Sequence, residues 1–332
     1  MSMESARIGD VLTGHSRWKS RVTECSAALK ADWLSPTASL VRRLPIGSRT
    51  FARLTWRCWM RAGSRPRTTA LGPVMNLDPG NAYQRELVFG IYERAEVNVL
   101  LSVLAKDSLF IDVGANIGYY SLIAAQVQER GGSVIAFEPD PSNLSRFHDN
   151  IRLNRCERRV SVRSYALAAN AGRCVLISGE HSVGSTLETK ERDVARLGPE
   201  FVGRHKRALE VSTSTLDQQC HETLERWNGI KVLKMDIEGV EPLALQGSQG
   251  SLDHIDCALI EQNPMMLRLH GFAVSAIQDR MSRCGFRCAL VREHLGQPRL
   301  LCLEESGGHS GNLLFYRSSV ESRLRPFLRV TG

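Results

Sequence analysis

The chain of 332 residues carries 43 Lys/Arg against 35 Asp/Glu, a net charge of +8, with 42% hydrophobic and 23% charged residues. That length suits one large α/β domain with an appendage, or two modest domains, and the composition excludes a disordered or collagen-like chain. No run reaches the roughly 18 to 20 consecutive apolar residues of a membrane span, and Met1–Asp10 lacks the apolar core of a secretory signal.

The charge is unevenly placed. Residues 1–75 hold 13 Lys/Arg and four Asp/Glu, a net +9, which leaves −1 on residues 76–332. The basicity therefore belongs to the leader, which argues against a nucleic-acid partner. Within the leader, Thr50–Ala62 interleaves Phe51, Leu54, Trp56, Trp59 and Met60 with Arg49, Arg53, Arg57 and Arg61. On a helix those arginines form one stripe. Residues 49–67 then suit a peripheral contact with a membrane surface or an acidic partner, or a short helix that packs its tryptophans on the main domain. Residues 1–77 are expected to be a basic extension, partly helical or disordered. The nine cysteines are scattered, odd in number and free of CxxC pairs, as expected of free thiols in a reducing cytoplasm.

From Asn81 the pattern becomes regular. Tyr83–Ala105 has helical spacing in Leu87, Ile91, Val97, Leu100, Leu101 and Leu104. A strand (Leu109–Val113), a Gly-containing turn, a helix (Tyr119–Arg130), a strand (Ser133–Phe137), a helix (Pro141–Arg155) and a strand (Val160–Tyr165) follow. This is the alternation of a parallel, doubly wound sheet. Residues 170–225 interrupt it and predict an insertion, a small hairpin with a lid. The alternation resumes with a strand (Ile230–Met235), a helix (Val240–Leu252), a strand (Asp256–Ile260) and a helix (Val274–Cys284). Strands Phe286–Val291 and Asn312–Tyr316 end it as an antiparallel hairpin. The expectation is a Rossmann-like sheet of seven mostly parallel strands over residues 78–318, then a tail at 319–332.

In such sheets ligands sit at the C-terminal strand ends, where the order reverses. The first strand ends in Asp112-Val113-Gly114-Ala115-Asn116-Ile117-Gly118. Gly114 permits a sharp turn, and Gly118 lets the next helix start close to the strand and to a ligand. Glu138, ending the second strand, can accept from both hydroxyls of a ribose. The glycines are four apart rather than in GxGxxG, and acidic Asp112 suits an ammonium better than a pyrophosphate. These features lean away from NAD and toward S-adenosylmethionine without deciding between them.

The blocks "LFIDVGANIGYYSLIAA", "VIAFEPDPSNL", "STLD" and "VLKMDIEGVEPLALQG", with "GIYERAEVNVL" upstream, resemble in order and spacing those of FkbM-family methyltransferases. The resemblance spans about residues 78–318. It implies a class I methyltransferase fold that binds S-adenosylmethionine through Asp112, Gly114, Asn116, Gly118 and Glu138. Tyr120 and Ser121 at the helix start, and Ala166 after the third strand, are further candidate contacts.

At the fourth strand, Lys234, Asp236 and Glu238 share one side. Asp236 is the candidate general base or acceptor-orienting group, and Lys234 would neutralise nearby charge. An ion-paired cap on the following helix is the bland alternative for all three. Glu261 and Asn263, ending the fifth strand, could join Asp236 around a divalent metal, but substrate hydrogen bonding is the favoured explanation and no metal is expected. The expected function is O-methylation of a hydroxyl on a sugar, glycan or secondary metabolite. An NAD-dependent oxidoreductase, or a non-catalytic protein docked through its basic N-terminal helix, are the alternatives.

Overall fold

The computed structural model describes residues 66–78, 80–128, 131–178, 186–188, 207–294, 297–303 and 309–329. The helix expected over 50–62, with nearly all of the 49–67 stripe, lies outside those residues. So does the 189–206 part of the expected insertion.

A hairpin of β1 (Pro66–Thr68) and β2 (Val74–Asn76) comes first. Where one helix was expected there are two, α1 (Ala82–Phe89) and α2 (Arg94–Val103). Gly90 ends α1 in the left-handed conformation (φ 66°), and a Cβ on it would lie 2.5 Å from Ala70 Cβ. Next come β3 (Leu109–Val113), α3 (Tyr119–Val127), β4 (Ser133–Phe137), α4 (Pro141–Leu153) and β5 (Val160–Arg163). Asp140 caps α4 by accepting from Ser142 N at 2.8 Å, with Pro141 inside the first turn. A separate four-stranded sheet follows, from β6 (Ala166–Leu167), β7 (Gly172–Ser178), β8 (Thr186–Glu188) and β9 (Arg207–Ser214), ordered β6-β9-β7-β8.

The main alternation resumes with α5 (Leu216–Arg226), β10 (Lys231–Met235), α6 (Glu241–Gln246), α7 (Gln249–Leu252), β11 (Cys257–Gln262), α8 (Pro264–Leu269), α9 (Ala276–Arg283) and β12 (Arg287–His294). It ends with β13 (Gln297–Cys302), β14 (Gly311–Tyr316), α10 (Ser318–Leu324) and β15 (Leu328–Arg329). The main sheet has the order β15-β13-β12-β14-β11-β10-β3-β4-β5. From β11 to β5 all neighbours are parallel, and β14 runs antiparallel between β11 and β12. The fold is thus α/β with a large, mostly parallel sheet.

Three further details differ from expectation. Among the described residues the sheet has nine strands rather than seven. β13 carries Pro298 and alternates poorly, and it is tolerated because its outer edge meets only the two-residue β15. Helix α5 buries Leu216, Cys220 and Leu224 in the main core, so it is the crossover into β10 rather than part of an insertion. At the other end, Val320 and Leu324 of α10 are fully buried, where a tail was expected. Two apolar residues four apart are too short a signal to stand out in the sequence.

The sheet separates two cores. Leu109, Ile111, Val113, Leu233 and Met235 enter one, and Phe110 and Val232 the other. Each such side chain contributes about 1.5–3 kcal/mol by leaving water. Asp112 and Lys234 share the parity of Phe110 and Val232 and face each other in register across β3 and β10. Both are buried. Two charged groups there work against the fold's own stability.

Candidate functional site

Strand β3 adjoins β10 on one side and β4 on the other, so the sheet order turns back at its tip. The tips of β3 and β10 touch. Asp236 N donates to Val113 O at 3.1 Å, and a Cβ on Gly114 (φ 78°) would lie 2.0 Å from Asp236 O. Gly114 N and Ala115 N both donate to Phe137 O at 3.0 Å, which pins the turn to β4 as well. Gly118 (φ 90°) has a different reason to be glycine from the one expected. A Cβ there would meet the Phe147 ring at 2.1 Å, so it makes room for α4, and it does not line the cleft.

The cleft over these tips holds about 900 Å³ of empty space, part of it open solvent. Asp112, Gly114, Asn116, Tyr120, Glu138 and Ala166 line it, as do Lys234, Asp236 and Glu238. Ser121 does not. It is buried and donates from Oγ to Asp112 Oδ2 at 2.6 Å. Asp112 Oδ1 has no partner among the described residues. Burial raises the Asp112 pKa against the opposing pull of Lys234 and Ser121.

Glu138 is nearly spoken for by its own chain. Oε1 accepts from Asp140 N (2.9 Å) and Asn143 Nδ2 (3.2 Å), and Oε2 from Asn116 N (2.8 Å). A carboxylate offers about four acceptor positions, so one more donor fits without rearrangement, where bidentate ribose binding was expected. The second acceptor is beside it: Asn143 Oδ1 is buried, unpartnered among the described residues, and on a residue that lines the cleft. Burial pushes the Glu138 carboxyl up to about 7, against its hydrogen bonds.

At the end of β10, Lys234 Nζ lies 3.2 Å from Asp236 Oδ2 and 5.1 Å from the Tyr120 ring centroid. Burial pulls the lysine pKa down, but Asp236, Asp112 and Glu93 outweigh it and hold Lys234 raised and cationic. The turn is held by Glu241, which accepts from Ile237 N (2.9 Å) and Gly239 N (3.3 Å). Glu238 sits in it with left-handed backbone, φ 59°. The metal candidates Asp236, Glu261 and Asn263 are not assembled as a ligand set. Asn263 accepts from Met266 N to cap α8, and Asp236 is paired with Lys234. Among the described residues no group of three or more His, Cys, Asp or Glu could hold a metal ion. The "STLD" block lies away from the cleft, with Asp217 accepting from Gly250 N and Ser251 N to join α5 to α7.

Sequence reasoning missed one wall of the cleft. Tyr83, Tyr92 and Tyr119 line it beside Tyr120. Tyr83 meets Tyr92 edge-to-face at 4.4 Å, Tyr92 meets Tyr119 at 6.2 Å, and Tyr119 meets Tyr120 at 5.8 Å. The Tyr119 hydroxyl is buried with no partner among the described residues. The one available signal was a concentration of tyrosines: four of the chain's six fall between residues 83 and 120.

The cleft therefore offers an unpartnered carboxylate oxygen at Asp112 and acceptors at Glu138 and Asn143. That acceptor set fits an ammonium at one end and a ribose at the other, as S-adenosylmethionine requires. A family profile described as the methyltransferase FkbM domain matches residues 112–288. The hexuronic acid methyltransferase AglP of Haloferax volcanii is 27% identical over 171 residues, 51% of this chain and 62% of the relative. This chain thus spans less than two thirds of that curated relative's length. Among solved structures, the O-methyltransferase from Bacillus cereus in complex with SAH is 10% identical, covers 85% of this chain and 97% of its own, and has a TM-score of 0.37. The precorrin-6y C5,15-methyltransferase from Geobacter metallireducens is 11% identical, covers 68% and 88%, and has a TM-score of 0.35.

Proposed function

The chain belongs to the FkbM methyltransferase family, and on that premise we propose that it transfers a methyl group from S-adenosylmethionine to a hydroxyl of a sugar, glycan or secondary metabolite. The observation that carries the reading is the contact between the two strand tips. It sets Asp112, whose buried Oδ1 has no partner among the described residues, in register with Lys234 of the Lys234–Asp236 pair. Bound in this cleft, S-adenosylmethionine would supply an electrophilic methyl carbon on a sulfonium. Asp112 would hold its ammonium, Glu138 and Asn143 its ribose hydroxyls, and Ala166 would leave room beside its base.

Asp236 would take the proton of the acceptor hydroxyl as that oxygen bonds the methyl carbon and the sulfur–methyl bond breaks, its electron pair going to sulfur to leave a neutral thioether. Lys234 would hold that carboxylate in place through their contact at 3.2 Å. In-line positioning supplies most of the rate in such a step. A hydroxyl acceptor is favoured over a carboxylate on electrostatic grounds. Lys234 is the cation lining the cleft among the described residues, and it is already engaged by Asp236, so a second carboxylate would find no counter-charge. The family assignment removes the motive for a dinucleotide oxidoreductase. AglP is named for hexuronic acid, which motivates a sugar-containing acceptor.

The test is incubation with labelled S-adenosylmethionine and an extract of glycans and metabolites, followed by mild alkali. Methyl ethers keep their label and methyl esters lose it. Alkali-stable label is expected. Label released as methanol would mean a carboxylate acceptor, and none at all would remove the reading.

A further inference from the structure

Glu93 precedes α2 and departs from what that position normally demands. Its backbone is left-handed, φ 41°, a conformation that residues with side chains rarely adopt. It occupies the N-cap yet makes no side-chain cap bond, although an acid there would ordinarily serve the helix dipole. Its carboxyl reaches instead across two other elements. Oε2 accepts from Tyr120 Oη at 2.6 Å, and Oε1 from Asn312 Nδ2 on β14 at 3.2 Å. Tyr120 in turn presents its ring to Lys234, which pairs with Asp236. A continuous line of contacts thus runs from a residue ahead of the sheet to the candidate base.

We propose that Glu93 is a positioning residue of the methyl-transfer site, holding Lys234 and Asp236 in place through Tyr120 and losing that hold when it is protonated. The proposal rests on the reading of the cleft as a methyltransferase site. The groups facing Glu93 are Tyr119 and Tyr120 from α3, Lys234 from β10 and Asp236 just after it, Glu261 from β11, Tyr83 from α1, the adjoining Tyr92, and Glu96 of α2. Burial and then the Asp236 charge push the Glu93 carboxyl up to about 7, against Lys234 and the Tyr120 hydrogen bond. An ionised Glu93 strengthens the donation from Tyr120 and, through the ring, the attraction on Lys234. Transfer should therefore rise as pH passes upward through about 7.

Glu93→Gln tests this, because it keeps the shape and removes the charge. The variant is expected to bind S-adenosylhomocysteine within about threefold of wild type and to lose transfer of labelled methyl into the extract by on the order of tenfold to a hundredfold. Its remaining transfer should lack the rise near pH 7. A stability arm separates positioning from plain structure. A carboxyl raised on folding contributes stability that is full below its ordinary 4.5 and lost as pH climbs through about 7. Glutamine escapes that loss, so the variant's melting temperature should gain on wild type between those pH values.

Normal transfer by Glu93→Gln across the pH range would overturn the proposal. So would a variant less stable than wild type at pH 8, which marks a structural tie. If wild type binds no S-adenosylhomocysteine, the methyltransferase reading has failed, and the positioning role falls with it. If wild type binds but no acceptor in the extract takes label, the stability arm decides: a gain supports a carboxylate kept against the interest of the fold, and a loss overturns it.

Discussion

Replacing Asp236 by asparagine is expected to lower methyl transfer by roughly 10²–10⁴-fold, the range for removing a general base, while S-adenosylhomocysteine affinity stays within about threefold. The side chain lies at the cleft end away from the Glu138 acceptors, since β3 separates β10 from β4 and neighbouring strands are about 4.8 Å apart. Cofactor contacts at Asp112, Glu138 and Asn143 should survive the change. The competing explanation is structural. Asp236 is 19% exposed and its partner Lys234 6%, and breaking a buried pair can cost about 3–5 kcal/mol. Asparagine keeps the shape, and Asp112 still faces Lys234 across the strands. A modest fall in melting temperature with a large loss of transfer supports the catalytic role. Unfolding, or unchanged turnover, removes it.

The second large effect is expected at Gly114. An alanine there must adopt φ 78° and place its Cβ 2.0 Å from the backbone oxygen of Asp236. The backbone strain alone costs about 1–3 kcal/mol, and a clash with main chain cannot be relieved by a rotamer change. Gly271 supplies an internal control. It has the same φ of 78°, yet nothing lies within 4 Å of its Cβ direction. Denaturant unfolding of the two alanine variants should therefore differ by roughly 2 kcal/mol or more, the scale of an overpacked site. The excess is the contact between the strand tips. Any Gly114→Ala protein that folds should have its tips forced apart and lose transfer. Equal losses at the two glycines would mean that the tips are not in contact.

Much of this site was legible because its signals are local. A strand that runs into Asp112-Val113-Gly114 and restarts as a helix at Tyr119 fixes the turn. The same punctuation at Glu138-Pro139 and at Met235-Asp236 places two more strand tips. Their adjacency follows from the crossover rules of a parallel sheet. What the sequence hid was whatever depends on distant partners. Gly118 reads as a ligand-facing glycine until Phe147, 29 residues on in the sequence, is seen against it. Ser121 reads as a contact, but it supports Asp112 from behind. Tyr83, Tyr92 and Glu93 fall within what reads as one helix, Tyr83–Ala105, with nothing in the spacing to single them out. Only the folded chain brings them to Tyr120 and Lys234. In the fold itself, β13 was lost to Pro298, and α10 to its shortness.

At the tip of β3, Asp112 keeps one buried oxygen without a partner among the described residues, the place assigned to the ligand's ammonium. Calorimetric titration of S-adenosylhomocysteine into the folded wild-type chain and into Asp112→Asn tests that assignment most directly. Saturable one-to-one binding is expected for wild type. The variant should bind at least about tenfold more weakly, the loss of one charge-assisted contact. A wild-type chain that binds nothing, or a variant that binds equally well, would contradict the account.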